Sequence, residues 1–186
     1  MKQNKTLVLI AVLMIVLAAL SRVAFYAQAF YFSPAIAMAL FSGSVIKDKK
    51  LAFIMPILSM FLADALFEIS GVAKGFWGWG QLAGYGILAL ITVLGFYLKK
   101  INVLNVAGFS IASTLIFFFL SNSSFFLIDN NVYHTYANSF SGYMDCLAAG
   151  VPFLKNNLIA DLVYSAVFFG GYVLLEKYAL SNKAVA

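Results

Sequence analysis

Six apolar stretches separated by short polar or small-residue links run along the chain, over residues 6–21, 33–46, 51–69, 81–98, 103–120 and 152–175. About 20 apolar residues are needed for a helix to cross the ~30 Å hydrocarbon core of a bilayer, and most of these stretches come close to that. The pattern predicts one all-α integral membrane domain over residues 1–186, with six transmembrane helices and no separate soluble domain. The first stretch follows Lys2 and Lys5 and reads as a retained helix. The alternative is a signal peptide cut near Ala27-Gln28-Ala29, although that site lies well past the apolar run and beyond Arg22. The second opens with Ser33 as a plausible N-cap and Pro34 as a first helical residue. It reaches only ~20 Å at 1.5 Å per residue, so the aromatic link before it is expected to dip into the bilayer. Trp77 and Trp79, in a glycine-rich link, suit a membrane interface. Residues 121–151 read as a long link of Asn and aromatic residues, with room for a short interfacial helix over 141–149.

The totals agree with this reading. The chain is 63% hydrophobic and 10% charged, whereas soluble domains carry about a quarter charged residues. A single Cys excludes an internal disulfide and leaves Cys146 as a small packing residue, and a single His argues against multi-histidine metal sites. A net charge of +5 would suit nucleic acid if it were clustered, but it is split by the apolar segments. With alternating helices, Lys2, Lys5, Lys47, Lys49, Lys50, Lys99, Lys100, Lys177 and Lys183 fall on one side, and Arg22, Lys74 and Lys155 on the other. Lysine and arginine favour the cytoplasmic side, so both termini are expected inside, with the chain crossing the cell's inner (cytoplasmic) membrane several times.

That orientation puts Asp64, Glu68, Asp129, Asp145 and Asp161 in the outer half. Asp64 and Asp161 come out at similar depth, ~20 Å above the inner ends of the third and sixth helices. A carboxylate facing hydrocarbon is costly, so each is expected to face the bundle interior or a watery cavity, with Arg22 as a cationic partner. Asn157, Asp161 and either Tyr164 or Ser165 share one face of the sixth helix. With aromatic residues of the outer links, these groups make either a small-molecule pocket or an interfacial aromatic belt with structural ion pairs. The candidate substrate-binding set is Arg22, Gln28, Asp64, Glu68, Trp77, Trp79, Tyr143, Asn157, Asp161 and Tyr164. Ala35, Ala39 and Gly43 repeat every four residues and form a smooth stripe, for close packing within the protein or for docking a partner. No phosphate-binding loop, nucleophile elbow or zinc-protease motif is present, so the reading is a non-enzyme without cofactor or metal.

Two local motifs carry a resemblance. Phe32 to Gly43 is similar to a Pro-x-x-Ala-x-Ala-Leu-Phe-x-Gly signature, and Gly142-Tyr143, Cys146, Pro152-Phe153, Asn157, Asp161 and Tyr164 to a second. Together with Asp64 on the third helix, they resemble an uncharacterised six-helix membrane family grouped with the S components of energy-coupling factor (ECF) transporters. The resemblance implies a subunit that binds a vitamin or similar micronutrient and docks on a membrane scaffold carrying two ATPases. In characterised S components an Ala-x-x-x-Ala pattern on the first helix contacts the scaffold; here the comparable pattern, Ala35–Ala39, lies in the second. Two other readings stand beside it: a structural membrane protein of an envelope or cell-shape complex, and a stand-alone proton-coupled carrier.

Overall fold

A computed structural model describes residues 5–24, 26, 32–76 and 78–183, with side chains described between residues 12 and 177 of those ranges. Among the described residues the chain is all-helical. Six helices follow one another: α1 (Lys5–Ala24), α2 (Ala35–Val45), α3 (Lys49–Ser70), α4 (Trp79–Gly95), α5 (Val103–Ser124) and α6 (Phe140–Lys183). Past Ser124, α5 continues through a π-helical turn, Phe125–Asp129, and a last helical turn, Asn130–Tyr133. Its end is set by His134, which takes a left-handed conformation (φ 50°) and donates its amide to the Asn130 carbonyl.

Local chemistry explains most other ends. Asp48 caps α3 by accepting from the Lys50 and Leu51 amides, and Asn102 caps α5 by accepting from Asn105. Gly71, left-handed at φ 67°, closes α3. The sixth helix departs most from expectation: it begins at Phe140, and Pro152 lies inside it. A proline removes one amide from the helical ladder. Here the segment before it packs along the extension of α5, with Tyr143 Oη 2.8 Å from Ser123 Oγ and its ring against Phe126. Most of the expected 121–151 link is therefore two helix ends packed together, and the connection between them spans only residues 134–139.

Helix α2 lies at the centre and packs against α3, α4, α5 and α6. Its residues Ile36 to Gly43 are buried without a break, as expected for a helix apolar on every side. The Ala35–Ala39–Gly43 stripe is thereby spent inside the molecule, and its use as an outward docking face is corrected. Ala39 is fully buried, and a Cβ on Gly43 would meet the Thr92 carbonyl oxygen of α4. A Cβ on Gly95 would in turn meet the Leu40 carbonyl oxygen, so two glycines let the α2 and α4 backbones touch. Gly84 and Gly86, also on α4, make no such backbone contact. Ser42 ties α2 to α3 through a 2.8 Å hydrogen bond to the Ala52 carbonyl.

The outside is greasy: Val12, Leu13, Val16, Leu17 and Leu20 of α1 and Ile54, Leu58 and Phe61 of α3 are exposed. Three helical stretches, Lys49–Ser70, Val103–Tyr133 and Phe140–Lys177, are long and apolar enough to cross a membrane, while among the described residues the stretches Val12–Ala24, Ala35–Val45 and Trp79–Gly95 are apolar but shorter. This is the composition of a membrane protein.

Candidate functional site

The C-terminal ends of α1, α3 and α5 and the N-terminal ends of α2, α4 and α6 surround a cavity of about 500 Å³. Successive helices thus run in alternating directions, and the cavity occupies one end of the bundle. Its wall is mostly aromatic and aliphatic, including Phe32, Phe67, Phe117, Phe118, Phe125 and Phe153. Polar groups enter at few points: Arg22, Asp64, Lys74, Ser121, Asn122, Asp129 and Asn157. An apolar enclosure with sparse directed polar groups is the usual form of a small-molecule site.

Asp64 is the best-anchored of these groups. It is 1% exposed and accepts from three donors: Arg22 Nη1 at 2.8 Å on Oδ1, and Gln81 Nε2 and Tyr85 Oη, both at 2.7 Å, on Oδ2. Gln81 and Tyr85 stand four residues apart on α4, one turn, so one face of that helix supplies both donors. With both oxygens occupied, Asp64 is a positioning residue whose effect is to aim Arg22. The guanidinium lies 5.6 Å from the centre of the Phe67 ring. Among the described residues it spends one of its five N–H donors, on Asp64, which leaves others for a ligand.

The loop after α3 closes one side. Glu68 Oε2 accepts from the Gly75 amide at 2.9 Å, and Gln81 Nε2 donates to the Gly75 carbonyl at 3.0 Å. A Cβ on Gly75 would meet the Asp64 carbonyl oxygen, so only glycine lets this loop lie so close to α3. Lys74 projects from the same loop at the cavity rim. Opposite, Asp129 comes from the π-helical turn of α5 and faces the Gly80 amide, where α4 begins without a side-chain cap of its own. A carboxylate at a helix N-terminus is favourably placed.

The expected residues divide accordingly. Arg22, Asp64 and Asn157 meet at the cavity. Gln28 and Trp77 lie outside the described residues. Glu68 is exposed and holds the loop, without lining the cavity. Trp79, the first residue of α4, points outward at 76% exposure. Tyr143 lines a separate shallow groove against the α5 extension. Tyr164 turns aside from the polar face of α6 and packs on Phe32 and Phe168, leaving Ser165 in register with Asn157 and Asp161.

Asp161 corrects the expectation of two carboxylates sharing one hollow. It is 1% exposed and absent from the cavity wall, one turn deeper than Asn157. The polar face of α6 packs on α5, so Asp161 meets Thr114, and Ser165 meets Ser110. Sequence reasoning passed over Gln81, Tyr85, Lys74 and Asn122 as site residues; the i, i+4 pair of polar side chains on the otherwise apolar α4 was the available signal. Among the described residues no group of three metal-ligating side chains gathers.

No curated protein and no solved structure matches the chain. Residues 2–183 match a family of unknown function, DUF6580, and the chain belongs to that family.

Proposed function

We propose that the chain is the substrate-binding subunit of an uptake system for a vitamin-like small molecule. In this reading it crosses the cytoplasmic membrane six times with both termini inside, and the cavity opens to the outside. The observation that carries the proposal is the cavity of about 500 Å³, held between all six helix ends and served by the Arg22–Asp64 pair. A wall of phenyl rings would pack on a flat apolar solute, while Arg22, Asn122, Asn157 and Lys74 would orient its polar edge. The Lys and Arg asymmetry supports the orientation, and the two S-component-like motifs support the class. No phosphate-binding loop is present, so energy would come from a partner scaffold with ATPases. Because Ala39 and Gly43 are buried against α4, that partner would engage another surface.

Native mass spectrometry of the purified protein against a panel of vitamins and related solutes tests the reading. A retained solute, lost in Arg22→Ala and Asn157→Ala, is the expected result. Failure of every solute across a broad panel, with the protein intact, overturns it.

A further inference from the structure

Beneath the cavity a second polar cluster is sealed between α5 and α6. Asp161 Oδ2 is hydrogen-bonded to Thr114 Oγ1, which also lies 3.0 Å from the Ser110 carbonyl oxygen. Next to it Ser110 Oγ bonds Ser165 Oγ at 2.8 Å. Asp161 Oδ1 is buried without a hydrogen-bond partner. The proton count leaves two wirings, with the Thr114 hydroxyl donating either to Asp161 or to the Ser110 carbonyl. Thr114 owns one hydroxyl hydrogen, and the Ser110 carbonyl can only accept. If Thr114 bonds that carbonyl, the hydrogen between Thr114 and Asp161 must come from Asp161. In that wiring the orphan Oδ1 is the carbonyl oxygen of a neutral acid, which is less costly to bury unpaired than half of a carboxylate.

The surroundings agree. No ion pair to Asp161 exists among the described residues, where Arg22 is committed to Asp64. Neither α2 from Ala35 to Val45 nor α5 from Val103 to Ser124 contains a titratable side chain. On α6 the nearest candidates are Lys155, exposed and nearly two turns away, and Tyr164, turned toward Phe32. Two groups favour a negative charge: the Thr114 hydroxyl when it donates to Oδ2, and the Ala37 amide in the first turn of α2, which faces the carboxyl without closing a hydrogen bond of normal geometry.

We propose that Asp161 is a proton-binding site inside the helix bundle, occupied at neutral pH, whose proton on Oδ2 clamps α6 to Thr114 of α5. Releasing that proton to water leaves an anion on Asp161 and swings the Thr114 hydroxyl away from the Ser110 carbonyl. The seam then carries a buried charge and one fewer bond, so the occupied state is the closed one. This goes beyond solute capture and holds whether or not the cavity above it is filled.

Infrared spectroscopy of the full chain in lipid nanodiscs tests it. The expected result is a carboxylic-acid C=O band at neutral pH that shifts in heavy water, disappears in Asp161→Asn and persists in Asp64→Asn. Absence of the band, its survival in Asp161→Asn, or its loss on adding sodium overturns the proposal, the last by showing a cation site. If Asp161→Asn does not fold, Thr114→Val is the second variant: removing the acceptor must raise the band frequency, and an unmoved band is equally fatal.

Discussion

Three donors converge on the Asp64 carboxylate, and taking it away removes the acceptor they share. In Asp64→Ala the Arg22 charge loses its carboxylate and Gln81 keeps the Gly75 carbonyl, a change that costs about 3 kcal/mol when a largely buried pair is broken. Tyr85→Phe deletes the hydroxyl's bond to Asp64 and the longer one it accepts from Gln81 Nε2 and keeps the ring, so about 1 kcal/mol is expected. Thermal unfolding of the detergent-purified variants checks the ordering, and equal losses would contradict the geometry. The structure pairs Arg22 with Asp64; that Arg22 pairs with one of the two deep carboxylates could be read from the sequence, since a cation at their level has few other options. The place of Asp161 could not. Spacing puts Asn157, Asp161 and Ser165 on one face of α6, but which neighbour that face meets depends on how the whole helix is rotated. It meets Thr114 of α5, and the two carboxylates part company.

Among the elements, α2 and α4 make the most demanding contact. Gly43→Ala and Gly95→Ala each drive a methyl into backbone of the opposite helix, and about 2 kcal/mol of destabilisation is expected from such overpacking. Gly86→Ala is the control on the same helix: nothing lies near its added methyl, so helix propensity alone acts and stability holds or rises by up to about 1 kcal/mol. Equal behaviour of the three in a thermal melt would mean that the helices do not cross there. The loop after α3 makes a softer prediction. Glu68→Ala removes the acceptor for the Gly75 and Phe76 amides, and hydrogen exchange at those amides should quicken while the helical amides are unchanged. The six apolar runs marked the six helices well, because long apolar stretches have few other fates. The continuation of α5 past residue 120 and of α6 back to Phe140 was missed. Residues 141–149 read only as a short separate helix, and Pro152 and the Asn-rich run as breaks around it, whereas contacts such as Tyr143 with Ser123 and Phe126 keep both ends helical. Those contacts join residues about twenty apart and have no local signature.

At the scale of the whole molecule, the cavity and the charge asymmetry make separate claims that must agree. Chain direction places Lys74 at the cavity end and the α2–α3 and α4–α5 connections, with Lys47 and Lys100, at the opposite end. The proposed orientation puts that opposite end, with its excess of lysine near Lys47 and Lys100, in the cytoplasm. In the proposed orientation the cavity then faces outward, with Arg22 and Lys74 of its lining among the few cations on that side. Single cysteines at these positions, in a Cys146→Ala background, put the agreement to a test. A membrane-impermeant maleimide applied to intact cells should label Lys74→Cys and leave Lys47→Cys and Lys100→Cys unlabelled until the membrane is broken. Added solute that fills the cavity should slow labelling at Lys74→Cys, since that side chain stands at its rim. The reverse labelling pattern would turn the cavity toward the cytoplasm, where a solute-capturing subunit for uptake has nothing to capture.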